Sequence, residues 1–188
     1  MTTNPYLFLD TETGGLDPRV HSLLTLGLVV GDASGVKDCL EIALKHEPYV
    51  VSGGGMKVNR IDLVAHHERA VSPQGALDLF EGFLDKHFGK DTRAVLVGHN
   101  ISFDHAFLNG FLSGLGRDPE ARIEHRSVDT HAVAAALRDA GRLDLPKLSS
   151  DALFRHFGVE PPEHQRHTAL GDALATFHLY WKLAGLMA

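Results

Sequence analysis

An apolar run, Tyr6-Leu7-Phe8-Leu9, leads straight into two carboxylates, Asp10 and Glu12, set one residue apart. In a strand, residues i and i+2 project from the same face, so both acids stand side by side there. Such a pair at the end of a buried strand costs free energy unless cations or hydrogen-bond donors compensate it. A capped strand end with a solvated turn is the plainer alternative for this segment on its own.

The residues after this pair constrain the architecture further. Thr13-Gly14-Gly15-Leu16-Asp17-Pro18 is a dense turn signal, and Val20 to Gly31 is a longer strand candidate. Asp32-Ala33-Ser34-Gly35 reverses the chain into Val36 to Leu44. Short turns between successive strands favour an antiparallel trio. The period then changes. Ser72-Pro73 opens a helix with Ala76, Leu77, Phe80, Phe83 and Leu84 on one face, closed at Gly89. Ala94-Val95-Leu96-Val97-Gly98 reads as a buried strand. A helix starts near Ile101, with Phe103, Phe107, Leu108, Phe111 and Leu115 at helical spacing. Further helices fit Thr130 to Ala140, Leu148 to Phe157 with a Gly158 cap, and Thr168 to Leu186. Ser52-Gly53-Gly54-Gly55 reads as a flexible segment. Strands first, then strands alternating with helices, imply one α/β domain over residues 1–188: a mixed sheet covered by helices.

Composition narrows the setting. A chain of 188 residues can bury a core without covalent staples. The lone Cys39 excludes an internal disulfide and a cysteine-rich zinc site, which suits a reducing compartment. Met1 to Asn4 is polar and uncharged, and no apolar run approaches the ~20 residues of a membrane span. The expectation is a soluble, cytoplasmic protein. The net charge of −6 argues at first against a polyanionic partner. Two bound divalent cations would change that, since adding +4 to −6 leaves −2. With no long basic run, binding of a short strand end is easier to support than gripping of duplex DNA.

Two more acids fall where chain direction changes. Asp104 lies in Gly98-His99-Asn100-Ile101-Ser102-Phe103-Asp104, where a buried strand gives way to a helix. A carboxylate in a first helical turn is also favoured by the helix dipole alone. Asp172 lies in His167-Thr168-Ala169-Leu170-Gly171-Asp172, one turn inside a helix that Thr168 can cap, with His167 just outside. His167 in isolation is equally well a loop histidine. Together, four carboxylates on a strand end and two helix starts match what two hard cations require. Mg²⁺ takes oxygen ligands and is held by a few carboxylates plus substrate phosphate. A pair of such ions can activate water against a phosphodiester, and a nearby histidine titrates in the range suited to taking its proton.

The segment Phe8 to Pro18, with Asp10-Thr11-Glu12-Thr13-Gly14, resembles the first motif of the DnaQ-like, DEDDh exonucleases. Gly98-His99-Asn100 with Phe103-Asp104 and Phe107-Leu108 is similar to their second motif. His167 with Asp172 in Ala-Leu-Gly-Asp-Ala resembles their third. The resemblance spans positions 8 to 177. It implies a ribonuclease H-like fold with a five-stranded mixed sheet, three antiparallel strands followed by parallel ones. It also implies a 3′→5′ exonuclease that hydrolyses single-stranded ends to nucleoside 5′-monophosphates with two divalent cations, Mg²⁺ or Mn²⁺. Asp10, Glu12 and Asp172 would bind the ion carrying the attacking water. Asp10 would bridge to a second ion approached by Asp104, and His167 would be the general base. Thr13 and Gly14 would lie along the terminal sugar, and His99 and Asn100 near the scissile phosphate. Met56 to Ile61 resembles a segment that shapes the nucleotide pocket in ribonuclease T-like members. Thr168 and Gly171 depart from the arginine and acidic residues commonest there, with Arg166 as a substitute for the former.

Partners on this reading are single-stranded DNA or RNA 3′ ends, with a homodimer left open. The rival readings are a proofreading or assembly subunit working with a DNA polymerase, and a small-oligonucleotide phosphodiesterase. No partner-binding tail is visible in the sequence, which favours free action. Asp129-Thr130 is explained by a helix cap, and Phe103 and Phe107 by the core.

Overall fold

A computed structural model describes residues 5–187; the polar start at residues 1–4 lies outside them. Five strands form one mixed sheet in the order β3-β2-β1-β4-β5. They are β1 (Tyr6–Thr13), β2 (Leu23–Asp32), β3 (Gly35–Ala43), β4 (Ala94–Gly98) and β5 (Ile123–Asp129). The first three pair antiparallel through the short reversals seen in the sequence, and β4 and β5 add in parallel. The predicted α/β fold with three antiparallel and then parallel strands is the observed one.

Alternation along β1 sorts the two faces. Leu7 and Leu9 join Leu26, Leu28, Leu96 and the apolar side of α3 (Pro73–Phe88) and α4 (Ser102–Gly114). Phe8 instead packs with Val29, Val97, Phe177 and Tyr180, which brings α7 (Ala169–Gly185) onto the opposite face. The remaining side of α7 packs against α5 (Thr130–Asp139) and α6 (Ser150–Phe157) through Ala134, Leu137, Leu153, Phe154, Leu179 and Leu183. Among the described residues, no helix is long and apolar enough to cross a membrane.

One expectation is overturned. Ser52 to Gly55 is no flexible loop; it opens α1 (Gly53–Asn59), followed by α2 (Leu63–Arg69). Ser52 accepts a bond from the Gly55 N–H at 3.1 Å and caps the helix, while its own N–H donates to the Gly14 carbonyl at 2.6 Å. Those bonds outweigh the poor helix propensity of three glycines. Strand β5 went unread because only Ile123 in it is fully buried, and the polar run Glu124-His125-Arg126 hides it from a search for apolar runs. Asp129 caps α5 as expected, accepting from the His131 N–H at 2.8 Å.

Candidate active site

Position 10 on the central strand faces Gly27 of β2 across the antiparallel ladder. Directly opposed residues share a face, and a side chain at 27 would run into the main chain of Ala169, the first residue of α7. Glycine there lets the start of α7 lie flat on the sheet beside Asp10, with Asp172 one turn further in. The result is a cluster in which carboxylate oxygens of Asp10, Glu12 and Asp172 all lie within 4.8 Å of one another.

Asp104 reaches the same end of the sheet from the other face. It sits in the first turn of α4, 5% exposed, just after the parallel strand β4. Thr11 points to that face between the two outward acids. Its N–H and its hydroxyl donate to Asp104 Oδ1 at 2.9 and 2.7 Å. Both bonds fall on one oxygen, leaving Oδ2 free of Thr11. Asp104 is outside the 4.8 Å trio, yet it is the strongest charge acting on Asp10.

Burial and mutual repulsion make this cluster hold protons. Desolvation, then Asp104, Asp172 and Glu12, push the Asp10 carboxyl well above its ordinary range. Desolvation, with Asp172 and Asp104 behind it, lifts Glu12 to about 8. Asp104 rises to about 7 through desolvation, against the two bonds from Thr11. Asp172 is also raised by burial, and Arg166 pulls it back. Arg166 donates to Asp172 Oδ2 and to Asp151 Oδ1 and lies over the Phe154 ring at 5.3 Å. Asp172 Oδ1 is buried with no hydrogen-bond partner among the described residues. One arginine thus compensates one oxygen of a four-carboxylate group and leaves the rest unneutralised. An all-oxygen donor set of this kind, with an orphaned buried oxygen, fits hard divalent cations.

His167 stands in left-handed backbone (φ 63°) before the Thr168 cap and lines a cavity together with Glu12. That cavity, of about 460 Å³, also includes Thr25, Glu41, Arg60 and Arg69. A second cavity of about 480 Å³ adjoins it, and Glu12 and Asn59 line both. Thr13, Leu16, Val58 and Phe103 line the second. Phe107 is core, as expected, but Phe103 is only partly buried and faces this opening. The departures at 168 and 171 have a local cause. Thr168 accepts from the Gly171 N–H at 3.1 Å, and a side chain at 171 would strike the Gln165 carbonyl.

The other predicted substrate contacts are occupied by the protein itself. The Thr13 hydroxyl donates to the Gly15 carbonyl at 2.8 Å. Gly14 donates to the Ser22 carbonyl at 2.8 Å and accepts from Ser52. His99 Nδ1 meets Thr130 Oγ1 at 3.1 Å, and burial lowers its pKa to about 4. Asn100, at φ 56°, donates its N–H to Asp129 Oδ1 at 3.0 Å. His99 and Asn100 line neither of these two cavities. The sequence reading missed Asn59, whose amide donates to the Thr13 carbonyl at 3.0 Å and accepts from the Ile61 N–H at 3.0 Å. Its signal was present in the Met56–Ile61 segment. The Arg166 ion pair had no comparable signal beyond its neighbourhood.

Fold and site together define an α/β protein with a five-stranded mixed sheet and a carboxylate cluster at the end of its central strand. Residues 7–180 match the family model described as Exonuclease, the RNase T type, and the chain belongs to this DnaQ-like exonuclease family. It is 30% identical over 183 residues to DNA polymerase III subunit epsilon of Rickettsia felis, covering 95% of this chain and 73% of that one. It is 26% identical over 183 residues to the PolC-type DNA polymerase III of Thermotoga maritima, covering 97% of this chain but only 12% of that polymerase. It shares the fold of E. coli exonuclease I, solved in complex with a dT13 oligonucleotide, at a TM-score of 0.78 and 18% identity. That match covers 97% of this chain and 41% of exonuclease I.

Proposed function

We propose that the chain is a 3′→5′ exonuclease domain that removes nucleoside 5′-monophosphates from single-stranded ends. The observation that carries this is the meeting of Asp10, Glu12 and Asp172 within 4.8 Å, with Asp104 acting on Asp10, beside two adjoining cavities. Asp10, Glu12, Asp104 and Asp172 would hold two divalent cations, Mg²⁺ or Mn²⁺. When bound, such cations supply Lewis-acid activation of water and neutralise charge on the phosphoryl group.

The chain's own residues do the rest. Thr11 fixes Asp104 through two bonds on one oxygen, so its free oxygen keeps a set orientation. Arg166 steadies Asp172. His167 takes the proton from the attacking water and passes it to solvent; its open cavity gives solvent a path to the imidazole. The cavity bounded by Phe103, Val58 and Leu16 offers apolar surface for the terminal base, and Thr13 borders its sugar. His99 and Asn100, tied to Thr130 and Asp129, stiffen the end of β4 where the scissile phosphate would pass.

A second reading has specific support. The similarity to DNA polymerase III subunit epsilon over most of both chains favours a proofreading role beside a polymerase. A substrate panel separates the possibilities: 5′-labelled single-stranded DNA, RNA, mismatched duplex and dinucleotides under one Mn²⁺ condition. The first reading expects a ladder shortened from the 3′ end with monophosphate products. Preference for the mismatched duplex selects proofreading, and preference for dinucleotides selects a small-oligonucleotide phosphodiesterase. Internal cuts or no cleavage refute exonuclease action.

A further inference from the structure

The fold supplies the four carboxylates unequally with hydrogen-bond donors. Asp104 takes the N–H and the hydroxyl of Thr11 on one oxygen, at 2.9 and 2.7 Å. Asp172 takes Arg166 on Oδ2. Glu12 receives no hydrogen bond from the described residues; only burial and neighbouring charges act on it. Directly across the antiparallel ladder from Glu12 stands Thr25 of β2. Residues opposed in this way share a face, with Cβ atoms about 4.5–5.5 Å apart. Thr25 is 2% exposed, and its hydroxyl is buried without a partner among the described residues. It borders the same cavity as Glu12, His167 and Thr168.

Packing alone does not account for a hydroxyl at this place. A buried hydroxyl with no partner costs stability, and valine would fill the same volume in a strand without that cost. Thr25 is the one polar side chain in the run Leu23 to Val30. Its ladder neighbour on the other side, Ala43 of β3, offers no side-chain acceptor. Glu41 lies opposite Gly27, at the next pair along this face, and Arg69 holds it at 3.9 Å. The carboxylate of Glu12 is therefore the near acceptor that the fold leaves unserved.

We propose that Thr25 is a positioning residue for Glu12, its hydroxyl donating to that carboxylate when the cluster holds its cations and fixing which oxygen faces them. This rests on the metal-dependent exonuclease reading. Thr25 then does for Glu12, from the neighbouring strand, what Thr11 does for Asp104. A hydroxyl idle in the metal-free protein and engaged in the loaded one lowers stability in the first state and raises metal affinity in the second. Those opposite signs separate it from a residue that merely packs.

The test compares wild type with Thr25→Val and Thr25→Ser by melting in EDTA, Mn²⁺ titration calorimetry and cleavage of a 5′-labelled single strand. Thr25→Val keeps the shape and removes an unpaired hydroxyl, so in EDTA it should melt no lower than wild type. It should bind Mn²⁺ roughly tenfold more weakly, as expected for one lost hydrogen bond to a charged group. Its kcat should fall while KM for the strand holds. Thr25→Ser, which keeps the hydroxyl, should recover most of the affinity and rate even though it melts lower. Wild-type Mn²⁺ affinity in Thr25→Val overturns the assignment, and so does an equal loss in both variants, which marks a packing effect. A wild-type protein that binds Mn²⁺ but cuts nothing ends the exonuclease reading, while the calorimetric comparison still decides Thr25. A wild-type protein that binds no Mn²⁺ ends both.

Discussion

Replacing Arg166 with glutamine removes the one guanidinium that Asp172 and Asp151 share. The Arg166 and Asp172 side chains are 17% and 14% exposed, between the regimes of surface and interior pairs. Exposed pairs contribute about 0.2–1 kcal/mol, whereas truncating one partner of a buried pair costs about 3–5. A loss near ~2 kcal/mol is expected in the metal-free protein. For a chain of this size that is a fall of roughly 4–8 °C in Tm, at about 2–4 °C per kcal/mol. With cations bound, Asp172 no longer depends on Arg166 and the deficit should shrink. By the thermodynamic cycle, ~2 kcal/mol lost only from the metal-free state means roughly 30-fold tighter Mn²⁺ binding. Thermal melts in EDTA and in saturating Mn²⁺, with Mn²⁺ titration calorimetry, measure every leg. An equal drop with and without metal, or unchanged Mn²⁺ affinity, refutes the idea that Arg166 stands in for a cation.

Gly27→Ala should lose about 1–3 kcal/mol, because the new methyl meets the Ala169 main chain and lifts α7 from β2. Nuclease activity should fall further than stability, since Asp172 rides on that helix; melts and rate assays on the same sample decide it. The raised carboxyls set a pH signature. Between the ordinary values of 4.5 and 3.8 and the folded values of about 8 for Glu12 and about 7 for Asp104, the folded metal-free protein holds protons that the unfolded chain has lost. Its stability must therefore fall as pH rises from about 5 to 8. Mn²⁺ should cancel that slope, and a metal-free Tm that climbs over this window contradicts it. His167→Ala should slow cleavage by roughly 10²–10⁴-fold while Mn²⁺ affinity holds; a full rate across pH 6–9 removes His167 as the base.

The parts of this fold that announce themselves in the sequence are those where local chemistry and tertiary role agree. Asp10 and Glu12 share a face because β1 continues straight through them, and Thr168 caps α7 as its residue type suggests. What stayed hidden depends on contacts distant in sequence. The Thr11 bonds to Asp104 span 93 residues, and Thr11 reads as filler between two acids. α1 and α2 carry weak helix signals, and their place is fixed by Ser52 on Gly14 and Asn59 on Thr13. β5 presents polar residues along much of its length and is recognisable only beside β4. Arg166 looks like one scattered cation among 18 Lys and Arg residues until the fold brings Asp151 and Asp172 to it.

The sharpest trial is a strand labelled at its 5′ end, incubated with purified wild-type protein in Mn²⁺ or Mg²⁺, in EDTA, and with Asp10→Ala. Stepwise shortening in either metal, abolished by chelation and by that single substitution, is the expected result. Shortening that survives EDTA or Asp10→Ala would mean that the carboxylates gathered around β1 do not hold the ions that drive hydrolysis.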